Sequence, residues 1–243
     1  MTYPEGRQAM NFRSLVSADV WRDLTERGRR RTFRRESVLL RQGESPECVI
    51  ALVDGLVKVA QINECGDELT LTLRGPGEVL GEMGALLGRP RSATVTAVRP
   101  CTGVVLPAHA FRGYVERHRL ETVVYQLTVE RLNSHERLRA DLVHLPPVAR
   151  MARVVCHLAD EVGHSHGGDG LVVELGMART ELATMASMSR SSALAALSRL
   201  QTAGILTLGR RRLVIKDAIH LKAAARDEEL PGGVGCRGDT PVM

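Results

Sequence analysis

The chain has 243 residues, 44% hydrophobic, 25% charged and only 3% aromatic, with a formal net charge of +5 and a pI near 9.2. That length suits one or two domains with cores of Leu, Val, Ala and Met, and the mild basic excess permits a nucleic-acid partner. There is no apolar run of about eighteen residues to span a membrane and no apolar signal core in residues 1–11, so a cytoplasmic protein is expected. Five cysteines, at 48, 65, 101, 156 and 236, are too scattered for a disulfide framework.

Residues 1–15 read as loosely ordered. Ser17 is placed to cap a helix over 18–27, with Val20, Trp21 and Leu24 on one face. The run Arg27, Arg29, Arg30, Arg31, Arg34 and Arg35 is either a solvated surface or a phosphate contact. From 31 to 107, short apolar runs alternate with turn signals, giving strands over 37–41, 49–53, 56–62, 68–73, 94–98 and 103–106. Asp54-Gly55 is a tight-turn signal, and Gly43 and Gly77 mark further turns. Strands at this spacing form an antiparallel barrel or jelly roll.

Within that run lies Gly81-Glu82-Met83-Gly84-Ala85-Leu86-Leu87-Gly88-Arg89-Pro90-Arg91-Ser92-Ala93-Thr94. Arg91 offers a planar fork of donors suited to an oxyanion, and Ser92 adds a hydroxyl. The first N–H groups of a short helix over 85–87 add partial positive charge. Glu82 would repel a phosphate but can accept a hydrogen bond from a sugar hydroxyl. Gly81 and Gly84 let backbone approach a ligand, Pro90 fixes the chain before the arginine, and Met83, Ala85, Leu86 and Leu87 close an apolar wall.

This pattern resembles the phosphate-binding cassette of cyclic-nucleotide-binding domains, found in bacterial cyclic-AMP receptor proteins and in regulatory subunits of cyclic-nucleotide-dependent kinases. The resemblance implies that Glu82 binds the ribose hydroxyl and Arg91 the cyclic phosphate, with Gly81, Met83 and Ser92 as backbone or hydroxyl contacts. It also places the glycines at 43, 55 and 77 where that family turns its barrel, although turn-making alone accounts for them.

Further on, a connecting helix is expected over 108–117 and a long one over 120–145. Leu120, Val124 and Leu127, returning at Leu138 and Leu145, read as the seam of a dimer coiled coil. Arg131 and Ser134 put polar groups where that seam should be apolar, with Asn133 and His135 beside them. Either they set dimer register or, as the resemblance implies, they reach the nucleotide base. Leu145-Pro146-Pro147 ends the helix. A helix over 148–162 follows, with Val148, Met151, Val155 and Leu158 on its apolar side. The glycine-rich loop at 163–170 contains His164 and His166 near Asp160, Glu161 and Asp169, and its glycines favour a turn over a metal site.

A strand over 171–175 leads to the second strong pattern. A helix over 180–186, a turn at Ser187-Met188 and a Ser189-capped helix ending near 203–204 form a helix-turn-helix. Leu182, Ala183, Ala186, Met188, Ala193, Leu197 and Leu200 fall where the two helices must pack. Arg190, Ser191, Ser192 and Arg199 face outward for DNA together with Ser189, and Arg179 and Thr180 open the first helix beside them. Strands over 205–208 and 212–215, joined through Gly209-Arg210-Arg211, form either a wing whose Arg210 and Arg211 grip phosphates or a plain basic hairpin. Residues 226–243 read as a disordered tail.

This half too is similar to the cyclic-AMP receptor protein and fumarate-nitrate regulator (CRP/FNR) family. The close N-terminal cysteine cluster of its iron–sulfur members is missing. In well-known members a glutamate follows the arginine at 190 and a second arginine lies one turn on. Ser191 and Ala195 stand there in this chain, so the consensus operator of the cyclic-AMP receptor protein is not the expected one here. The expected fold is therefore α+β: a jelly-roll cyclic-nucleotide-binding domain at 12–118, a dimerisation helix at 119–145 and a winged helix-turn-helix at 146–225. The expected function is a homodimeric transcription regulator whose affinity for double-stranded promoter DNA answers to cyclic AMP or cyclic GMP, with RNA polymerase as a further partner. The alternative is the same fold with a vestigial pocket or a different effector. No paired nucleophile and base and no metal cluster suggest an enzyme.

Overall fold

The computed structural model describes residues 10–165, 170–176 and 178–228. Order begins earlier than the sequence suggests. Asn11 caps a 3-10 helix, Phe12–Leu15, and its Oδ1 accepts from Ser14 N at 2.9 Å. Phe12 is fully buried against α1 (Ala18–Arg27), capped by Ser17, which buries Trp21 and Leu24.

Eight strands then build the barrel: β1 (Arg29–Phe33), β2 (Val38–Leu40), β3 (Cys48–Asp54), β4 (Val57–Ile62), β5 (Glu68–Arg74), β6 (Val79–Leu80), β7 (Thr94–Ala97) and β8 (Cys101–Pro107). They form two antiparallel sheets, ordered β1-β8-β3-β6 and β2-β7-β4-β5. Ile50, Leu52, Val57, Leu80 and Val95 pack together in one of the barrel's core clusters. Two of these strands were not expected. The arginine run is largely an edge strand: Arg29 pairs with Val105 and Phe33 with Cys101, while Arg29, Arg30 and Arg31 stay exposed. β6 joins the cassette to the sheet through Ile50 and Ala51. Between β3 and β4, Gly55 has φ +111, and a Cβ there would lie 2.5 Å from Cys101 Sγ, so only glycine fits.

The short helix α2 (Glu82–Leu87) sits between β6 and β7. After β8 come α3 (Ala108–His118), the long α4 (Glu121–His144) and α5 (Pro147–Val162). α5 buries Met151, Val155 and Leu158. The Leu120–Val124–Leu127 stripe does not form a free seam. It is buried with Phe12, Val49, Val79 and Phe111 in the chain's own core. What α4 leaves outside is a different face, with Tyr125, Leu132 and Val143 exposed at 71%, 56% and 66%.

The last part comprises β9 (His164–Ser165), β10 (Leu171–Glu174), α6 (Arg179–Met185), α7 (Arg190–Thr202), β11 (Leu206–Leu208), β12 (Arg212–Ile215) and α8 (Ala218–Ala224). The strands order as β11-β12-β10-β9. α8 was not anticipated, and Asp217 caps it by accepting from Ile219 N and His220 N. The core of this winged unit continues onto the barrel, where Leu56, Leu73 and Val98 join Met151, Leu158 and Leu182 in one cluster. No helix among the described residues is long and apolar enough to cross a membrane.

Candidate effector pocket and nucleic-acid interface

The cassette turns because two glycines take left-handed conformations. Gly81, with φ +80, precedes α2, and Gly88, with φ +63, ends it. A Cβ on Gly81 would sit 2.3 Å from Arg91 Nη1, so the missing side chain makes room for the guanidinium. Arg112 of α3 donates to Ala85 O at 2.7 Å and fixes the far end of the short helix. Arg91 is held by its backbone to the β2–β3 turn, with N to Glu44 O at 3.0 Å and O from Gly43 N at 2.9 Å.

These constraints gather one cavity of about 330 Å³. Gly81, Glu82, Met83, Arg91 and Ser92 line it, and so do Arg131 and His135 of α4. Asn133 and Ser134 do not, a correction to the candidate set: on a helix, residues three and four apart share a face, so 128, 131, 132 and 135 point together and 133 and 134 turn aside. Thr128 was missed. Its Oγ1 donates to Val124 O at 2.8 Å and touches Met83 Sδ at 3.2 Å.

The polar groups on this cavity are engaged by the protein. Arg91, 6% exposed, donates to Gly81 O at 2.7 Å and also to Cys48 O. Glu82 accepts from Arg131, whose other terminal nitrogen donates to Glu78. Glu78 is 3% exposed and lies 3.4 Å from Arg74 Nη1, and the same nitrogen donates to Glu161 of α5. Burial pushes the Glu78 carboxyl up, against the pull of Arg131 and Arg74. Burial pulls Arg131 the other way, and Glu82 and Glu78 outweigh it, holding the guanidinium charged above its usual range. Sequence reasoning had no sight of Arg74 or Glu78. The only clue was a carboxylate and a guanidinium flanking Gly75-Pro76-Gly77 just before the cassette. His135 faces His157 of α5, ring centroids 6.1 Å apart and edge-on, and burial holds both imidazoles down at about 4. Among the described residues no three His, Cys, Asp or Glu side chains are grouped to hold a metal ion. His166 and Asp169 of the histidine loop, and Cys236, lie outside the described residues.

The second candidate surface is built by α6 and α7. Leu182, Ala183, Ala186, Ala193, Leu197 and Leu200 are buried between them, and Met188 packs alongside. Ser187 occupies the turn with φ +51, the left-handed conformation that glycine adopts more readily. Ser189 caps α7: its Oγ accepts from Ser192 N at 3.2 Å and lies 3.0 Å from Ser191 Oγ. Arg190, Ser191 and Arg199 are exposed on α7, and Arg210 and Arg211 at the β11–β12 tip. Arg179 and Thr180 open α6, and their side chains lie outside what is described. Replacing Ser189 with Ala leaves an N-terminal N–H unpaired. It is expected to lower stability by about 1 kcal/mol, read as a shift in urea midpoint at unchanged slope.

Residues 30–118 match the family of cyclic nucleotide-binding domains, and residues 149–224 match that of Crp-like helix-turn-helix domains. A CRP-like cAMP-activated global transcriptional regulator of Mycobacterium tuberculosis is 25% identical over 195 residues, covering 80% of this chain and 87% of that protein. The global nitrogen regulator of Synechococcus elongatus is 23% identical over 192 residues, covering 78% and 86%. Among solved structures, FixK2 of Bradyrhizobium japonicum aligns with a TM-score of 0.69 at 18% identity, over 81% of this chain and 96% of that one. The c-di-GMP responsive regulator CLP of Xanthomonas campestris aligns at 0.67 and 22%, over 82% and 99%.

Proposed function

Because this chain belongs to the CRP/FNR family of DNA-binding transcription regulators, we propose that it is a homodimer whose affinity for promoter DNA is set by a cyclic nucleotide, cyclic AMP first, held between the cassette and α4. The observation that carries this reading is the convergence of Glu82, Arg91, Ser92, Arg131 and His135 on one cavity. In this reading the carboxylate accepts from a sugar hydroxyl and the guanidinium groups hold a phosphate in the same hollow. The exposed face of α4 at Tyr125, Leu132 and Val143 supports pairing with a second copy. The exposed arginines of α7 and the β11–β12 tip supply the electrostatic share of DNA affinity. RNA polymerase is the further partner that follows from this role, and the cytoplasm is its place of work.

A second reading keeps the fold and changes the effector. It rests on the protein's own engagement of Glu82 by Arg131 and of Arg91 by two carbonyls. The differing effectors of two relatives, cAMP for one and c-di-GMP for the other, are consistent with it. Calorimetric titration with cyclic AMP and cyclic GMP decides. Saturable binding is expected, and Arg91→Ala should weaken it by about 2 kcal/mol, a loss of roughly thirtyfold. Absence of heat with either nucleotide, and DNA affinity unchanged by Arg91→Ala, favours the second reading.

A further inference from the structure

A chain of five ionisable side chains runs from the cassette to the winged unit: Glu82, Arg131, Glu78, Arg74 and Glu161. It crosses four elements of the fold. Glu82 belongs to α2 and Arg131 to α4. Arg74 ends β5 of the barrel, and Glu161 lies in the last turn of α5, beyond the Pro146-Pro147 break. On one side lies the effector cavity, which Arg74 lines. On the other lies a cleft of about 680 Å³ between the barrel and α5, lined by Arg13, Glu78, Asp160 and Glu161.

We propose that Arg74 passes the state of the pocket to the winged helix by exchanging carboxylate partners, releasing Glu161 to take Glu78. This rests on the sensing role proposed above. One nitrogen, Nη1, serves both carboxylates: it donates to Glu161 and lies at a long 3.4 Å from Glu78 Oε1. Glu78 tolerates that weak contact because Arg131 holds its other oxygen. The cluster sets three carboxylates against two guanidinium groups, so any demand on one arginine is felt by the rest.

The direction of the exchange follows from burial. An anionic ligand in the cavity draws on the charge of Arg131. Glu78 side-chain exposure is 3%, so water compensates it less than Glu161 at the Arg74 end, and it takes more of Arg74. Glu161 is 14% exposed at a helix C-terminus, where the helix dipole disfavours a carboxylate, and it can hydrate when Arg74 leaves. Other ties keep the winged unit on the barrel meanwhile. Lys58 Nζ meets Glu181 of α6 at 2.7 Å, and Thr70 Oγ1 donates to the same carboxylate at 3.2 Å. Gly176 lies so close to Val98 that a Cβ would fall 1.7 Å from its Cγ1. Losing Arg74 therefore tilts α5 without freeing the domain.

The test compares DNA affinity with and without cyclic AMP, using the full chain and a duplex that the wild-type protein selects from a random pool. In Glu161→Gln the ratio of the two affinities should fall by about tenfold, within the usual range of such couplings. Calorimetric affinity for cyclic AMP should stay within about threefold of wild type, since Glu161 does not line that cavity. Arg74→Lys should lose the ratio in the same way, because a compact, strongly hydrated ammonium does not hold the place of the Nη1 group between the two carboxylates, and it stands in if Glu161→Gln fails to fold. Lys58→Gln, which cuts the Lys58–Glu181 tie, should keep the wild-type ratio. An unchanged ratio in both Glu161→Gln and Arg74→Lys, or an equal loss in Lys58→Gln, overturns the exchange while leaving the sensing role intact. A wild-type protein that binds neither cyclic AMP nor cyclic GMP sinks the sensing role, and the exchange with it.

Discussion

Replacing Arg131 with Met is expected to destabilise the folded chain by about 3–5 kcal/mol at pH 8, the usual cost of removing one partner from a buried ion pair. Arg131 spans two carboxylates on different elements, Glu78 and Glu82, whose side chains are 3% and 7% exposed. Without the guanidinium, Glu82 loses its ion-pair partner, and Glu78 is left with the Arg74 that it shares with Glu161. The Glu78 carboxyl then shifts further upward, since burial already raises it with Arg131 in place. The sign follows from the proton balance. Carboxyls whose folded pKa lies above the unfolded value bind more protons folded than unfolded, so stability falls as pH rises through the carboxylate range. The gap between variant and wild type should therefore be small near pH 5 and full at pH 8, measured by urea unfolding at each pH. Adding Glu78→Gln to the variant should recover part of the loss at pH 8 and little at pH 5, because the neutral amide removes one stranded charge. A gap that does not depend on pH would assign the cost to lost packing of the arginine stem instead.

The barrel and the helix-turn-helix could be read from the residues because both are written in local chemistry. Turn glycines, alternating strands and the Ser189 cap act over a few positions, and the elements lie within a few residues of where those signals put them. The failures share one cause, a partner distant in the chain. β1 is arginine-rich and becomes a strand only by pairing with β8, more than 60 residues on. Phe12 lies in a polar segment, yet a core made of α1, α3 and α4 residues encloses it. The period of Leu120, Val124 and Leu127 correctly indicates a buried face but cannot say what buries it, and the barrel does so in place of a second helix. At the pocket, the cassette and the polar break in α4 were visible. The pairing of Arg131 with Glu78 and Glu82, across separations of 53 and 49 residues, was not. α8 is the exception: Asp217, immediately before the helical stretch 218–224, is a local capping signal.

Acid should weaken the junction of α4 and α5 well before it reaches most carboxylates. His135 and His157 meet there, and neither Nε2 has a hydrogen-bond partner among the described residues. Burial is the main cause that holds both at about 4, and Arg74 adds to it; Arg131 and Arg139 act further on His135, while Asp160 pulls His157 the opposite way. Well above pH 6.5, from about pH 7.5, both rings are neutral whether folded or not, and the full stability is present. As pH falls toward about 4, the unfolded chain takes up protons that the folded chain refuses, so stability is lost through that window. His157 is 8% exposed. On its own it should cost about 2 kcal/mol between pH 7.5 and pH 5, at 1.36 kcal/mol per unit of pKa difference. His157→Phe keeps a flat ring of similar size without the titrating group. Its urea stability should stay nearly level over that range while the wild type falls. His135→Phe should remove a further part of the slope, smaller because that ring is less enclosed. Parallel pH profiles for wild type and both variants would place the acid sensitivity elsewhere, with the Glu82–Arg131–Glu78–Arg74 cluster the next group to test.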